Sequence, residues 1–349
     1  MSTPARAVAP SEDALGRFRT AFDRLRRAIG EVVVGLDEVV EQTLIALVAG
    51  GHVLLEGAPG VGKTLLCRTL AGCTHLDFRR IQFTPDLVPA DVTGTTVLIE
   101  DEQRRKRFEF REGPLFANLV LADEINRATP KTQSALLEAM QERAVTTGGQ
   151  TRPLPAPFMV VATQNPIELE GTFPLPEAQL DRFLFKVAVP APAVDDVVRI
   201  LERTTGAREA APEPITSGEE LIELGRLARC APAAPHVLRY AAALTVATVP
   251  TDPDGPAGPN APVGRSLRLG ASPRAAQALI LGAKVRALAH GRPCAAVEDV
   301  RALAAPALRH RLVLTFEAEA DGLTADALVE RLLADVAPPG PDPREDAAR

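Results

Sequence analysis

The chain has 349 residues, 46% of them apolar and 24% charged, with 39 Lys and Arg against 45 Asp and Glu for a formal net charge of −6. That length suits about two domains with a sizeable core. The acidic balance argues against a dedicated nucleic-acid coat or a polybasic membrane binder, either of which would carry a basic surplus.

Residues 1–10 have no periodicity and read as disordered. Ser11 to Ile29 carries Leu15, Phe18, Phe22, Leu25 and Ile29 at helical spacing, and Asp37 to Ala49 predicts a second helix. His52 to Glu56 is a short apolar strand, followed by a glycine-rich turn and a helix from Lys63 to Ala71. Further apolar runs at 79–83, 118–123, 157–163 and 183–189 read as strands, with a helix from Pro130 to Arg143 among them. Strands alternating with helices predict a parallel sheet covered on both faces, placed at about residues 30–190. Composition shifts at 190–216, which opens with a helix from Asp195 to Thr204, and the pattern beyond is helical only. Helices are expected from a Ser217/Glu220 capping box to Arg229, from Ser272-Pro273 to His290, from Val297 to Ala304 and from Thr324 to Val336. A flexible Pro/Gly loop is expected at 250–264 and a disordered tail from Ala337. The longest apolar stretch, Leu44 to Leu55, is interrupted by Gly50, Gly51 and His52, so no membrane span is expected. No charged-then-apolar leader opens the chain, and a cytoplasmic protein is the expectation.

The most specific signal is Gly57-Ala58-Pro59-Gly60-Val61-Gly62-Lys63-Thr64, which fits GxxxxGK[ST] between a strand and a helix. Its glycines let backbone N–H groups close around phosphate oxygens, and the helix N-terminus favours their charge. Lys63 would pair with the β- and γ-phosphates of a nucleotide, and the Thr64 hydroxyl would ligate Mg2+. The strand Leu119 to Asp123, followed by Glu124, ends in two acids. Asp123 would hold the Mg2+ shell, and Glu124 would orient and deprotonate the attacking water. Asn165 ends the next apolar strand, where a carboxamide can hold that water by neutral hydrogen bonds.

Two arginines join this set. Arg182, in Leu180-Asp181-Arg182-Phe183, is placed to reach a neighbouring subunit's γ-phosphate; a surface ion pair with Asp181 or Glu177 is the competing reading. Arg274 stands at the second position of a helix, where a cation opposes the dipole. That cost suggests it faces a phosphate, the alternative being a solvated side chain. Cys67, Cys73, Cys230 and Cys294 form no Cys-x-x-Cys pair, and Cys67 and Cys73 read as small core fillers. His52, His75, His236, His290 and His310 lack ligand spacing and read as structural. One tyrosine, Tyr240, and no tryptophan leave few stacking platforms, so no nucleic-acid partner is expected.

Taken together, these elements resemble the AAA+ ATPases, and more closely the MoxR family within them. The resemblance runs over residues 30–310. It rests on Val34-Gly35 with Glu38, the 54–64 loop, Arg80 to Asp86, Leu121 to Arg127, Ala135 to Glu142, Ala162 to Pro166, Glu177 to Phe183 and Leu269 to Arg274. It implies an α/β P-loop NTPase core at 11–192, counting the N-terminal helix, followed by a small all-α lid at 193–336. It makes Gly57 through Leu65 the nucleotide loop, with Val34 and Gly35 at the adenine, and Thr64 and Asp123 the Mg2+ ligands. It makes Asn165 sensor 1, Arg182 the arginine finger and Arg274 sensor 2, beside Lys63 and Glu124. The family implies a homo-oligomeric ring, commonly a hexamer, that remodels protein partners in a chaperone-like way. It also implies a partner with a von Willebrand factor A domain and, in some members, insertion of metal cofactors. Hairpins are expected at 91–111 and 143–154, the first with a basic run at Arg104 to Arg107 beside Phe108 and Phe110, readable as a solvated loop or a client grip. A nucleic-acid-stimulated motor and a metal-chelatase subunit are the rival functions.

Overall fold

A computed structural model describes residues 9–340 apart from 101–103, 105, 166–170, 206–211 and 252–260. Most of the expected N-terminal disorder, most of the 250–264 loop, the last nine residues of the tail and Arg105 of the basic run lie outside the described residues.

In chain order, α1 (Glu12–Val32) and α2 (Asp37–Ala49) precede β1 (Val53–Glu56), α3 (Lys63–Thr74) and β2 (Phe78–Gln82). The short α4 (Pro89–Thr93) leads into β3 (Gly94–Glu100) and β4 (Lys106–Glu112), and β5 (Leu119–Asp123) is followed by α5 (Pro130–Glu142). Next come β6 (Ala144–Thr147), β7 (Gln150–Pro153), β8 (Met159–Gln164), α6 (Glu177–Leu180), β9 (Phe185–Ala188) and α7 (Val194–Thr204).

Five strands make a sheet in the order β2-β5-β8-β1-β9, and every pairing is parallel. Period two splits its residues between two cores. Leu55, Leu119, Leu121, Val161 and Val187 face one, with α1, α2, α3 and the helices of the C-terminal half. Leu54, Val120, Ala122, Val160 and Ala162 face the other, with α5. Burial on both faces is why the inner strands β5, β8 and β1 read as continuous apolar runs, whereas β2, at the sheet edge with Arg79, Arg80 and Gln82 exposed, is not the apolar run expected at 79–83.

The C-terminal half holds α8 (Gly218–Cys230), α9 (Pro235–Val246), α10 (Ala261–Gly264), β10 (Leu267–Leu269), α11 (Pro273–Ala289), α12 (Val297–Ala302), α13 (Ala304–Leu308), β11 (Val313–Leu314), α14 (Phe316–Ala320) and α15 (Ala325–Asp335). The helical-only expectation is corrected here: β10 and β11 pair antiparallel. They are too short to show a period. The expected helix from Val297 to Ala304 is two, broken at Leu303, because Pro306 has no N–H for the Ala302 carbonyl. The capping box of α8 is half formed. Ser217 accepts from the Glu220 N–H, but the Glu220 carboxylate takes the Thr216 hydroxyl instead.

Both hairpins are present, as β3 with β4 and β6 with β7. Gly148 and Gly149 turn the second at φ 61° and 74°. The hairpins lean on one another. The Arg152 guanidinium lies 4.0 Å from the centre of the Phe110 ring, and Phe110 meets Phe116 edge-on. Phe108 and its cross-strand partner Leu98 face solvent.

Candidate active site

The carboxyl ends of β1, β8 and β5 lie side by side, and each delivers one part of a cleft of about 380 Å³. From β1 comes the loop into α3. Gly62 caps that helix at φ 90°, a backbone conformation open to glycine and costly for other residues. Gly60, at φ 79°, has nothing within 4 Å of where a Cβ would project, so its left-handed backbone is what favours glycine there. Lys63 Nζ donates to the carbonyls of Gly57 at 2.6 Å and Ala58 at 3.3 Å. Burial pulls the Lys63 pKa down, opposed by the carboxylates of Asp123, Glu124 and Glu56.

From β5 come Asp123 and Glu124. Asp123 Oδ1 accepts the Thr163 hydroxyl at 2.6 Å, and Oδ2 accepts from Arg80 Nε at 3.0 Å and Nη2 at 2.7 Å. Arg80 also donates to Gln82 Oε1, and Gln82 Nε2 donates to Glu124 Oε2 at 2.7 Å. Glu124 Oε2 further accepts from Arg127 at 3.1 Å, while the Glu124 N–H donates to Thr163 Oγ1 at 2.9 Å. The two acids are thus joined through β2 by an arginine and a glutamine. From β8 comes Asn165, buried at the same cleft.

Beside this cleft a smaller apolar one, of about 160 Å³, is lined by Val34, Gly35, Val61, Leu65, Pro190 and Ile200. Arg203 of α7 closes it, donating to the Gly30 and Glu31 carbonyls at the end of α1. Gly35 has φ 73°, and a Cβ there would sit 2.5 Å from Asp196 Cγ.

Arg182 and Arg274 lie elsewhere. They share a third cleft, of about 270 Å³, with Arg143, Asp181 and Arg311. Arg182 donates to the Leu137 carbonyl at 2.7 Å rather than to Asp181 or Glu177. Arg274 lies 3.8 Å from Asp181, and Ser272, the N-cap of its helix, donates to Asp181 at 2.8 Å. That contact ties the start of α11 to the turn before β9. His52 is structural: the Val160 N–H donates to its Nδ1 at 2.9 Å, and Nε2 sits 3.1 Å from the Met140 carbonyl. Burial pushes its pKa down to about 4, against the Met140 hydrogen bond. Cys67 and Cys73 are buried, and burial raises both thiols.

Sequence reasoning missed Arg80, Gln82, Thr163, Asp181 and Arg311 as site residues. Arg80 and Gln82 carried a signal, being polar at period two in a strand. Its value depends on β2 pairing with β5, which no local pattern states.

A phosphate cradle after one strand, an acid pair two strands away and a carboxamide between them define a P-loop nucleoside triphosphatase of AAA+ architecture. The ATPase family associated with various cellular activities (AAA) matches residues 52–185, and the AAA lid domain matches residues 262–332. Chaperone MoxR1 of Mycobacterium tuberculosis is 45% identical over 90% of this chain and 82% of its own. The uncharacterized protein YeaC of Bacillus subtilis is 43% identical over 89% of this chain and 92% of its own. The crystal structure of a putative ATPase from Cytophaga hutchinsonii superposes with a TM-score of 0.86 at 38% identity, over 95% of this chain and 98% of that one. The chain belongs to the MoxR family of AAA+ ATPases.

Proposed function

We propose that this chain is a Mg2+-dependent ATPase that works as a homo-oligomeric ring, six-membered by family resemblance, and remodels a protein partner in the cytoplasm. The observation that carries the reading is the gathering of Lys63, Thr64, Asp123, Glu124 and Asn165 at one cleft. The apolar cleft by Val34 and Gly35 supports an adenine site continuous with the phosphate loop from Gly57 to Leu65. The AAA+ core spans 11–192 and the lid 193–336 in this reading.

Asp123 suits a cation, because its Oδ2 already faces one, the Arg80 guanidinium at 2.7 Å. When bound, Mg2+ held by Asp123 and the Thr64 hydroxyl neutralises phosphate charge. Lys63 exchanges its Gly57 carbonyl for phosphate oxygens. Glu124 takes the proton of the attacking water on its carboxylate, after giving up Gln82 and Arg127, and Asn165 orients that water. Arg182 and Arg274, set apart from their own P-loop, act on the phosphates of the next subunit. A partner carrying a von Willebrand factor A domain, and metal-cofactor insertion, are the roles that the family resemblance adds.

Glu124→Gln tests the reading. ATP affinity stays within about twofold and turnover falls by about a hundredfold or more. Parental turnover in that variant removes Glu124 from the role of base.

A further inference from the structure

Arg182 and Arg274 come from distant parts of the chain, one from the turn before β9 and the other from the first turn of α11, yet they share one cleft. Asp181 joins them. Its Oδ1 accepts from Arg311 Nε at 2.7 Å, its Oδ2 accepts the Ser272 hydroxyl at 2.8 Å, and Arg274 lies 3.8 Å from Oδ2. The same Ser272 oxygen accepts from the Arg274 N–H. Arg311, with its side chain 3% exposed, also donates to the carbonyls of Phe183 at 2.7 Å, Asp181 at 3.2 Å and Leu184 at 3.3 Å. These acceptors bracket Arg182 in the chain, so they fix the backbone that aims it. Burying a guanidinium is costly, and an apolar side chain would fill the space without that cost.

We propose that Asp181 and Arg311 are positioning residues that hold Arg182 and Arg274 as one two-pronged cation for the phosphates of a neighbouring copy. This rests on the reading that those arginines act on the next subunit. Damage to the clamp then spares a subunit's own P-loop cleft and spoils its neighbour's site.

Three variants test it. Arg311→Lys keeps the charge but loses the planar fork. Asp181→Asn removes the shared carboxylate charge. Ser272→Ala removes one hydroxyl and serves if the other two do not fold. Affinity for a fluorescent ATP analogue should stay within about twofold of the parent, while turnover falls about tenfold or more for the first two and about threefold for Ser272→Ala. Turnover should return when each is mixed with excess Lys63→Ala chains, which supply intact arginines. Arg182→Ala, mixed in the same way, is the reference. If Arg182→Ala recovers and the clamp variants do not, the clamp serves its own subunit and the proposal is overturned. Full turnover in the unmixed clamp variants also overturns it. If Arg182→Ala itself stays inactive in assemblies verified to mix, the reading on the next subunit falls, and the proposal falls with it.

Discussion

Glu124 sits at φ 57° and ψ 51°, left-handed backbone that costs a residue with a Cβ about 1 kcal/mol or more. Its N–H to Thr163 and its carboxylate contacts with Gln82 and Arg127 hold it there. In the role of base proposed for Glu124, the Gln82 hydrogen bond engages one carboxylate oxygen and makes it a poorer acceptor. Gln82→Ala removes a hydrogen bond of about 1 kcal/mol, so basal ATP turnover should rise by about fivefold in a steady-state assay; unchanged or lower turnover would show that Gln82 does not restrain the base. His52 makes a separate prediction. Its folded pKa of about 4 lies below the usual 6.5, so the unfolded chain binds its proton first. The stability from neutral His52 is complete above pH 6.5 and is lost, by at most about 1.4 kcal/mol per unit, as the pH falls toward 4. His52→Gln keeps a donor and an acceptor without the titration, so its Tm should fall less steeply than the parent's between pH 7 and 5; parallel slopes would contradict this. The gathering of candidate residues was legible where one stretch of sequence held them, as in the 57–65 loop and the Asp123–Glu124 pair, which meet at one cleft. It was not legible for Arg80, which meets Asp123 only because β2 pairs with β5.

At the scale of elements, fully buried strands and the helices capped by serine declared themselves, whereas the short Thr315-capped α14 did not. Every residue of β5 is buried, and Ser272 with Pro273 marks the start of α11. By contrast, α9 went unread although Pro235 stands at its first position, because Ala234 before it offers no capping side chain to complete the Ser-Pro start signal seen at α11. The hairpins were legible as insertions, but their mutual contact was not, because Arg152 and Phe110 meet only in three dimensions. That contact is worth about 1 kcal/mol at a partly exposed site. Arg152→Ala should therefore speed amide hydrogen exchange across Gly94–Glu112 by about fivefold. Unchanged exchange would mean that the first hairpin is held by its own strand pairing.

For the whole molecule, one apolar core runs from the sheet through α1 and α2 into the C-terminal helices, so α11 and its Arg274 are fixed relative to the P-loop. The chain carries the two candidate residue sets at separate clefts, one with Lys63, Thr64, Asp123, Glu124 and Asn165 and the other with Arg182 and Arg274, and in the proposed function these are two halves of one chemistry. Sequence order gave no warning of this, since Arg274 reads as a phosphate-facing residue without stating whose phosphate. The separation predicts that an isolated chain binds ATP but lacks part of the catalytic site. Turnover per chain, measured against protein concentration alongside mass from light scattering, tests this most directly. Turnover should rise with the assembled fraction and be at least about a hundredfold lower in monomers. Full turnover per chain in a solution of monomers would contradict it.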